Sequence, residues 1–486
     1  MSNNAENNKK NILFLVLDGF RGDLCFGKNK TSKTPNIDKL IENGICFHKA
    51  ISSGMSSTPS VSSILTSLYP FESLVQDGNL FKINPNLPTF VNELQKNGYF
   101  TYAIIQDPLS HIGFKNIFGK NLDTYDHANE KLWSGLGSKI ITKIIDIKKS
   151  NPWFCYIQLY DLNLLIYPND VQLEKGPLEI QDSQFGKNHY ERIISAQDKW
   201  IGKIIDNVDM KNTLIIFTAD HGLESGAYDE ELENFDFEQK TKRIVEPGIF
   251  FNVGMKMKSI IPFRKKLSRK YVEHVDEIKK QRQKPELTNL ENFEKTKYKK
   301  RLMELSVMFK SNVFDDRIHV PLIFSGVDLP KKIKINNMVR SIDIFPTIFD
   351  ICGLSNNLMN RRGRSLTPFF SDSEYSELPV FIESSVNVIK SINSNVIGIR
   401  TSKFKYFRDK NDPKKNINLF NLLNDPLEEC NIANDNPKLI ESFESELEKI
   451  NSKKIFEIKE NQSDDEIGIE EAKEIEKKLK DAGYIA

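Results

Sequence analysis

Residues 11–21, NILFLVLDGFR, and residues 213–222, TLIIFTADHG, decide the fold. Each is a continuous β-branched and aromatic run of the kind that forms a strand buried on both faces of a parallel sheet. Each ends on an acidic residue, Asp18 in the first and Asp220, followed by His221, in the second. In open α/β sheets ligands bind just beyond the carboxyl ends of the strands. Two such ends therefore place Asp18, Asp220 and His221 where they can converge on one metal ion. Some 200 residues separate the two stretches, so only the fold can join them. A lone aspartate after a strand also serves as a turn residue or helix N-cap. The Asp-His pair is harder to explain that way, because two good ligands stand side by side.

Residues 52–70, SSGMSSTPSVSSILTSLYP, supply the third element. Small polar residues precede Pro59 and an apolar-periodic stretch follows, which predicts a helix start. Ser57 then lies at or just before a helix N-terminus, where free N–H groups and the positive dipole end favour an anion. A hydroxyl placed there beside a metal suits attack on sulfate or phosphate esters. The alternative is a plain serine N-cap.

The rest of the chain fits an α/β protein. Strands are expected at 11–17, 102–105, 154–159, 213–218 and 321–325, and helices near 35–44, 59–68, 88–97, 189–206 and 343–352. The stretch 375–450 reads as short strands and a final helix. With 486 residues the chain can bury a large core. Its net charge of +1 sets up no global field toward nucleic acid, and no nucleic acid partner is expected. Five scattered cysteines without CxxC spacing argue against a disulfide framework and a zinc cluster. The polar start MSNNAENNKK holds no apolar signal core and no run reaches transmembrane length, so a cytoplasmic location is the expectation.

Taken together, NILFLVLDGFRGD, TPNIDKLIENGICFHKAIS, SSTPSVSSILTSLYP, TADHG, KSNVFDDRIHVPLIFSG, SIDIFPTIFDICGL, GRSLTPFF, GIRTSKFKYF and LFNLLNDPLEECNIA resemble, in order, the motifs of the sulfatase family of the alkaline phosphatase superfamily. The resemblance implies a central, mostly parallel sheet flanked by helices, with a smaller C-terminal α+β subdomain. It sets the boundaries at 1–10 for a disordered N-terminus, 11–370 for a catalytic domain, 371–450 for an antiparallel-sheet subdomain and 451–486 for a charged helical tail. It also implies a metal-dependent ester hydrolase in which Asp18, Asp220 and His221 hold one divalent ion, Ser57 is the nucleophile and Lys310 holds the oxygens of the sulfate or phosphate group.

Four departures shape this reading. Gly19 stands where sulfatases carry a second aspartate, so the remaining donors suit manganese or zinc better than calcium. The same set resembles phosphoglycerol and phosphoethanolamine transferases, which use an unmodified hydroxyl. Val61 stands where the signal for converting the nucleophile to formylglycine carries arginine, which points to Ser57 remaining serine and to phosphodiester chemistry as the alternative. The stretch GYFTYAIIQDPLSHIGFKNIFG lacks the family's active-site Lys and His; Asp107 and His111 lie in it, Asp107 as a substrate-binding candidate and His111 as a candidate acid. A lone histidine is also commonly a surface or satisfied core residue. Asn163, in YDLNLLIYP, falls where the family's histidine acid stands; it can donate a hydrogen bond to substrate but cannot shuttle a proton. Loss of acidic and imidazole groups also fits a catalytically silent binding protein.

The resemblance is interrupted by an insertion at about 226–309. From Glu238 to Arg301 it carries 19 basic against 8 acidic side chains. A solvated excursion, a lid bringing positive charge to an anionic substrate, and a membrane-surface segment presenting a lipid-linked ester all fit. The expected partner is an anionic ester, sugar- or lipid-linked. The sequence leaves the oligomeric state open.

Overall fold

The computed structural model describes residues 9–77, 80–127, 129–162, 176–223, 297–298, 301, 312–354, 360–371, 375–384 and 396–452. Asn163, Lys310, the insertion apart from three residues, and the tail beyond 452 lie outside them. The chain divides into two units, Met1–Ser225 with Met308–Ala486, and Gly226–Val307. The first carries both principal sheets and the site.

Its strands are β1 (Asn11–Leu17), β2 (Gly44–Ile51), β3 (Leu74–Asp77), β4 (Leu80–Ile83), β5 (Phe100–Gln106), β6 (Leu122–Tyr125), β7 (Trp153–Leu159), β8 (Thr213–Thr218), β9 (His319–Gly326) and β10 (Ile333–Arg340). Eight of them form one sheet in the order β10-β2-β9-β8-β1-β7-β5-β6. β9 runs antiparallel to both neighbours, β2 and β8. The remaining pairs are parallel. The fold class expected from the sequence is therefore the observed one. Every residue of β1, β7 and β8 is buried, as continuous apolar runs covered on both faces require. The helix expected near 35–44 spans Pro35–Glu42, and Gly44 opens a strand that the sequence reading did not isolate. The longest of the flanking helices, His189–Ile205, is capped by Asn188, whose side chain accepts from the Glu191 N–H.

The smaller sheet joins β11 (Val380–Glu383), β12 (Val396–Arg400), β13 (Phe404–Asp409) and β14 (Asn418–Asn421), all antiparallel. Its side chains alternate faces as the strand period demands. Phe381, Ile397, Ile399, Tyr406 and Leu419 pack on Phe443, Leu447 and Ile450 of the helix Pro437–Ser452. Val380, Ile382, Val396, Phe407 and Phe420 pack against Ile51 and Met338 of the large sheet and Ile318 of the short helix Asp315–Ile318 before β9. Among the described residues no helix is long and apolar enough to cross a membrane.

Candidate functional site

Register decides where the strand ends meet. Val16 of β1 pairs with Thr218 of β8, so Asp18 and Asp220, each two residues on, stand abreast on adjacent strands. Val16 also pairs with Gln158 of β7, which brings that side chain to the same edge. The backbone binds the ends together: the Asp18 N–H donates to the Leu159 carbonyl at 2.9 Å.

The predicted helix start is real. The helix spans Ser57–Thr66, with Ser56 in an extended conformation at its N-cap and Ser57 as its first residue. All of its residues except Thr58 are buried, the small side chains allowing close packing. Val61 is fully buried. Ser57 Oγ donates to Asp18 Oδ2 at 2.9 Å and lies 3.5 Å from His221 Nε2.

Asp18, Asp220 and His221 each offer a ligand atom, and these atoms lie within 4.8 Å of one another. His221 Nε2 is 3.6 Å from Asp18 Oδ1 and 3.7 Å from Asp220 Oδ2. Tetrahedral coordination at about 2.0–2.2 Å sets ligand atoms about 3.3–3.6 Å apart, close to these separations. His221 Nδ1 is 2.8 Å from the Gly222 carbonyl. A carbonyl only accepts, so Nδ1 bears a proton and Nε2 is the ring nitrogen that faces the carboxylates, the arrangement of a metal-ligating histidine. The Asp220 carboxylate is oriented in turn, its Oδ1 accepting from the backbone N–H of His221 at 2.8 Å and of Gly19 at 3.4 Å. All three side chains are nearly or fully buried. Two buried carboxylates and an imidazole nitrogen facing one another fit a divalent cation.

Two glutamines that the sequence reading passed over complete the cluster. Gln158 Nε2 donates to Asp18 Oδ2 at 3.2 Å and to Asp220 Oδ2 at 3.0 Å. Gln106 Nε2, at the end of β5, donates to Asp18 Oδ2 at 3.3 Å. The Tyr156 hydroxyl donates to Gln158 Oε1 at 2.7 Å, fixing which way that amide points. Burial first, then the Asp220 and Asp18 carboxylates, push the Tyr156 hydroxyl far above its ordinary pKa, so it stays a donor. The signal for both was a glutamine near the end of an otherwise apolar run, TYAIIQ and WFCYIQL, where a buried amide must find partners.

The structure thus brings Asp18, Ser57, Asp220 and His221 together. Asp107 opens the turn after Gln106, whose side chain hydrogen-bonds Asp18, and His111 lies in the next turn, Ser110–Phe114. Gly19 has φ +79°, a conformation that favours glycine. Its carbonyl accepts from the Tyr190 hydroxyl at 2.7 Å, so backbone bracing, and no carboxylate, is what this position gives the site.

Comparison with known proteins agrees with this architecture. The family model described as Sulfatase matches residues 10–354, and that described as N-sulphoglucosamine sulphohydrolase, C-terminal, matches 304–453. The chain is similar to Arylsulfatase K of Canis lupus familiaris, at 30% identity over 156 residues, covering 30% of this chain. That match spans only 28% of the relative's length. Among solved structures, the phosphonate monoester hydrolase of Agrobacterium radiobacter superposes with a TM-score of 0.59 at 16% identity, covering 92% of this chain and 96% of that one. A Bacteroides thetaiotaomicron protein described in connection with the metabolism of multiple glycosaminoglycans superposes at 0.60 with 15% identity, covering 92% and 97%. Both likenesses are of fold. With a family model spanning well over half its length, its motifs in family order and the matching two-sheet architecture, the chain belongs to the sulfatase family.

Proposed function

We propose that the protein is a metal-dependent hydrolase of sulfate or phosphate esters with Ser57 as its nucleophile. The observation that carries this reading is the placement of Ser57 Oγ, 2.9 Å from Asp18 Oδ2 and 3.5 Å from Nε2 of His221, on the first residue of a helix. The hydroxyl proton already faces an acceptor in Asp18, which favours attack by oxygen. The new bond forms between Oγ and the sulfur or phosphorus, and the ester oxygen leaves with the bonding electron pair. The free N–H groups of the helix start favour the negative charge of the transferring group. Lys310, from its position in the family motif, adds a positive charge there. Asp18, Asp220 and His221 would hold a divalent ion, as sulfatases generally do, and that ion would act as a Lewis acid toward the hydroxyl and the ester. Water or an acceptor alcohol then resolves the intermediate.

Two features favour phosphodiester over sulfate-ester chemistry as a second reading. No carboxylate stands at Gly19, and Val61 occupies the place of the modification signal's arginine, which leaves Ser57 an ordinary serine. A sugar-linked ester is the substrate class suggested by the description of the Bacteroides thetaiotaomicron structure. The test combines peptide mass spectrometry of Ser57 with turnover of an aryl sulfate and a bis-aryl phosphodiester in the presence of manganese, zinc or calcium. Unmodified Ser57 with phosphodiester turnover that Ser57→Ala abolishes supports the second reading. A formylglycine mass at Ser57 with aryl sulfate turnover supports the first. Undiminished turnover by Ser57→Ala refutes the nucleophile.

A further inference from the structure

Gln158 is fully buried on a strand whose other residues are all buried, and six of the strand's seven side chains are apolar or aromatic. Burying an amide there is costly unless each of its groups is matched. Its match is unusual. One amide nitrogen reaches two carboxylates, Asp18 at 3.2 Å and Asp220 at 3.0 Å. Its oxygen takes the Tyr156 hydroxyl at 2.7 Å, and its backbone carbonyl takes the Tyr125 hydroxyl at 2.9 Å. The Tyr156 ring is wedged edge-on against Phe14, with ring centres 5.4 Å apart, and tilted against Phe114 at 5.2 Å. The amide is therefore locked in place by a packed aromatic support, as a functional group on a rigid strand should be.

Its position also answers the departure at Gly19. That residue turns with φ +79° and uses its backbone N–H and carbonyl as struts to Asp220 and Tyr190. Among the described residues the cluster thus has two carboxylates, and a neutral amide donates to both. We propose that Gln158 takes the place of the missing carboxylate: it clamps Asp18 and Asp220 at the spacing a divalent cation needs, and by adding no charge it biases the centre toward a transition metal over calcium. Two carboxylates and an imidazole neutralise a divalent ion without excess, the donor set of zinc or manganese, whereas calcium gains from each further anionic oxygen. This inference rests on the metal-dependent reading above and deepens it.

The test uses the full-length protein stripped with EDTA, and calorimetric titration with zinc, manganese and calcium, each alone. The variants are Gln158→Leu, Gln158→Glu and Tyr156→Phe, with circular dichroism and melting curves to confirm folding. Gln158→Leu should weaken zinc and manganese binding about 10- to 100-fold, the usual cost of losing a residue that orients a ligand. Gln158→Glu should tighten calcium binding about tenfold or more and narrow the preference for manganese. Tyr156→Phe keeps the ring and releases the amide; it should weaken zinc and manganese binding about threefold to tenfold, and it carries the test if Gln158→Leu does not fold. Wild-type protein that binds metal while the folded variants stay within about twofold of it for every cation would overturn the role of Gln158 alone. Wild-type protein that binds none of the three ions would overturn the metal-dependent reading, and this inference with it.

Discussion

The two aspartates of the cluster should respond differently to the same substitution. Asp18 Oδ2 accepts from three donors, Ser57, Gln106 and Gln158, whereas its Oδ1 lies 3.6 Å from His221 Nε2. An asparagine at 18 keeps its oxygen toward the three donors, so all three retain a match. Asp220 is different. Its Oδ1 accepts two backbone N–H groups and its Oδ2 accepts Gln158 Nε2. An asparagine at 220 sets two donors face to face, either against the backbone or against Gln158, and Tyr156 opposes a flip of that amide. Both substitutions remove the same carboxylate–carboxylate repulsion, so this term cancels when the two variants are compared. The difference that remains is one mismatched buried donor pair, about 1–3 kcal/mol. In EDTA, Asp18→Asn should therefore unfold at higher urea than Asp220→Asn, by that amount once the slopes are taken into account. With metal at about a hundred times its Kd, wild-type protein gains about 2.7 kcal/mol, and both variants should lose most of that gain. Equal stability of the two variants in EDTA, or the reverse order, would refute the hydrogen-bond assignment on which the site rests.

Gly222→Ala should be severe, because a Cβ there would lie 2.1 Å from the Asp316 carbonyl oxygen, a backbone atom with little room to yield. A loss of about 3 kcal/mol or more, with weakened metal binding because Gly222 also orients His221, is expected from urea unfolding and titration. Lys405 is fully buried and paired with Asp315 and Glu428. Lys405→Met leaves those carboxylates short of a cation and should cost about 3–5 kcal/mol at neutral pH. Burial pushes the Asp315 carboxyl up, but Arg400 and Lys405 outweigh it and hold it well below the usual range. A lowered folded-state pKa gives stability that is present above the unfolded value of about 3.9 and is lost as pH falls below it toward the folded value. Urea midpoints measured from pH 7 to pH 3 should thus fall for wild type below about pH 4, while the gap to Lys405→Met narrows; a gap that widens on acidification would contradict the assigned ion pairs.

Much of the site was legible because its parts announce themselves locally. An aspartate after an all-apolar run, an Asp-His pair after another, and serines before Pro59 are each short-range signals, and each was found where the sequence placed it. For Gln106 and Gln158 the local signal, a glutamine near the end of a buried run, says that the amide must find partners but not which ones, so their place in the cluster was not legible. Among the described residues of the segment that holds Asp107 and His111, Gln106 at the strand end hydrogen-bonds Asp18, and the two candidates follow in the turns after it. β2 hid behind the helix before it, since Gly44 follows Glu42 by only two residues.

By itself the sequence determined that the runs at 11–17, 154–159 and 213–218 are buried strands, that they belong to a mostly parallel sheet, and which residue types stand at the ends of the first and last of them. These follow from periodicity and residue type, which act over a few positions. Only the tertiary structure decided that β1 and β8 are neighbours in the register that sets Asp18 beside Asp220, that β7 flanks them so that Gln158 bridges the pair, and that β9 enters antiparallel. Strand order and register come from long-range pairing, and contacts spanning 140 and more residues leave no trace in any local window.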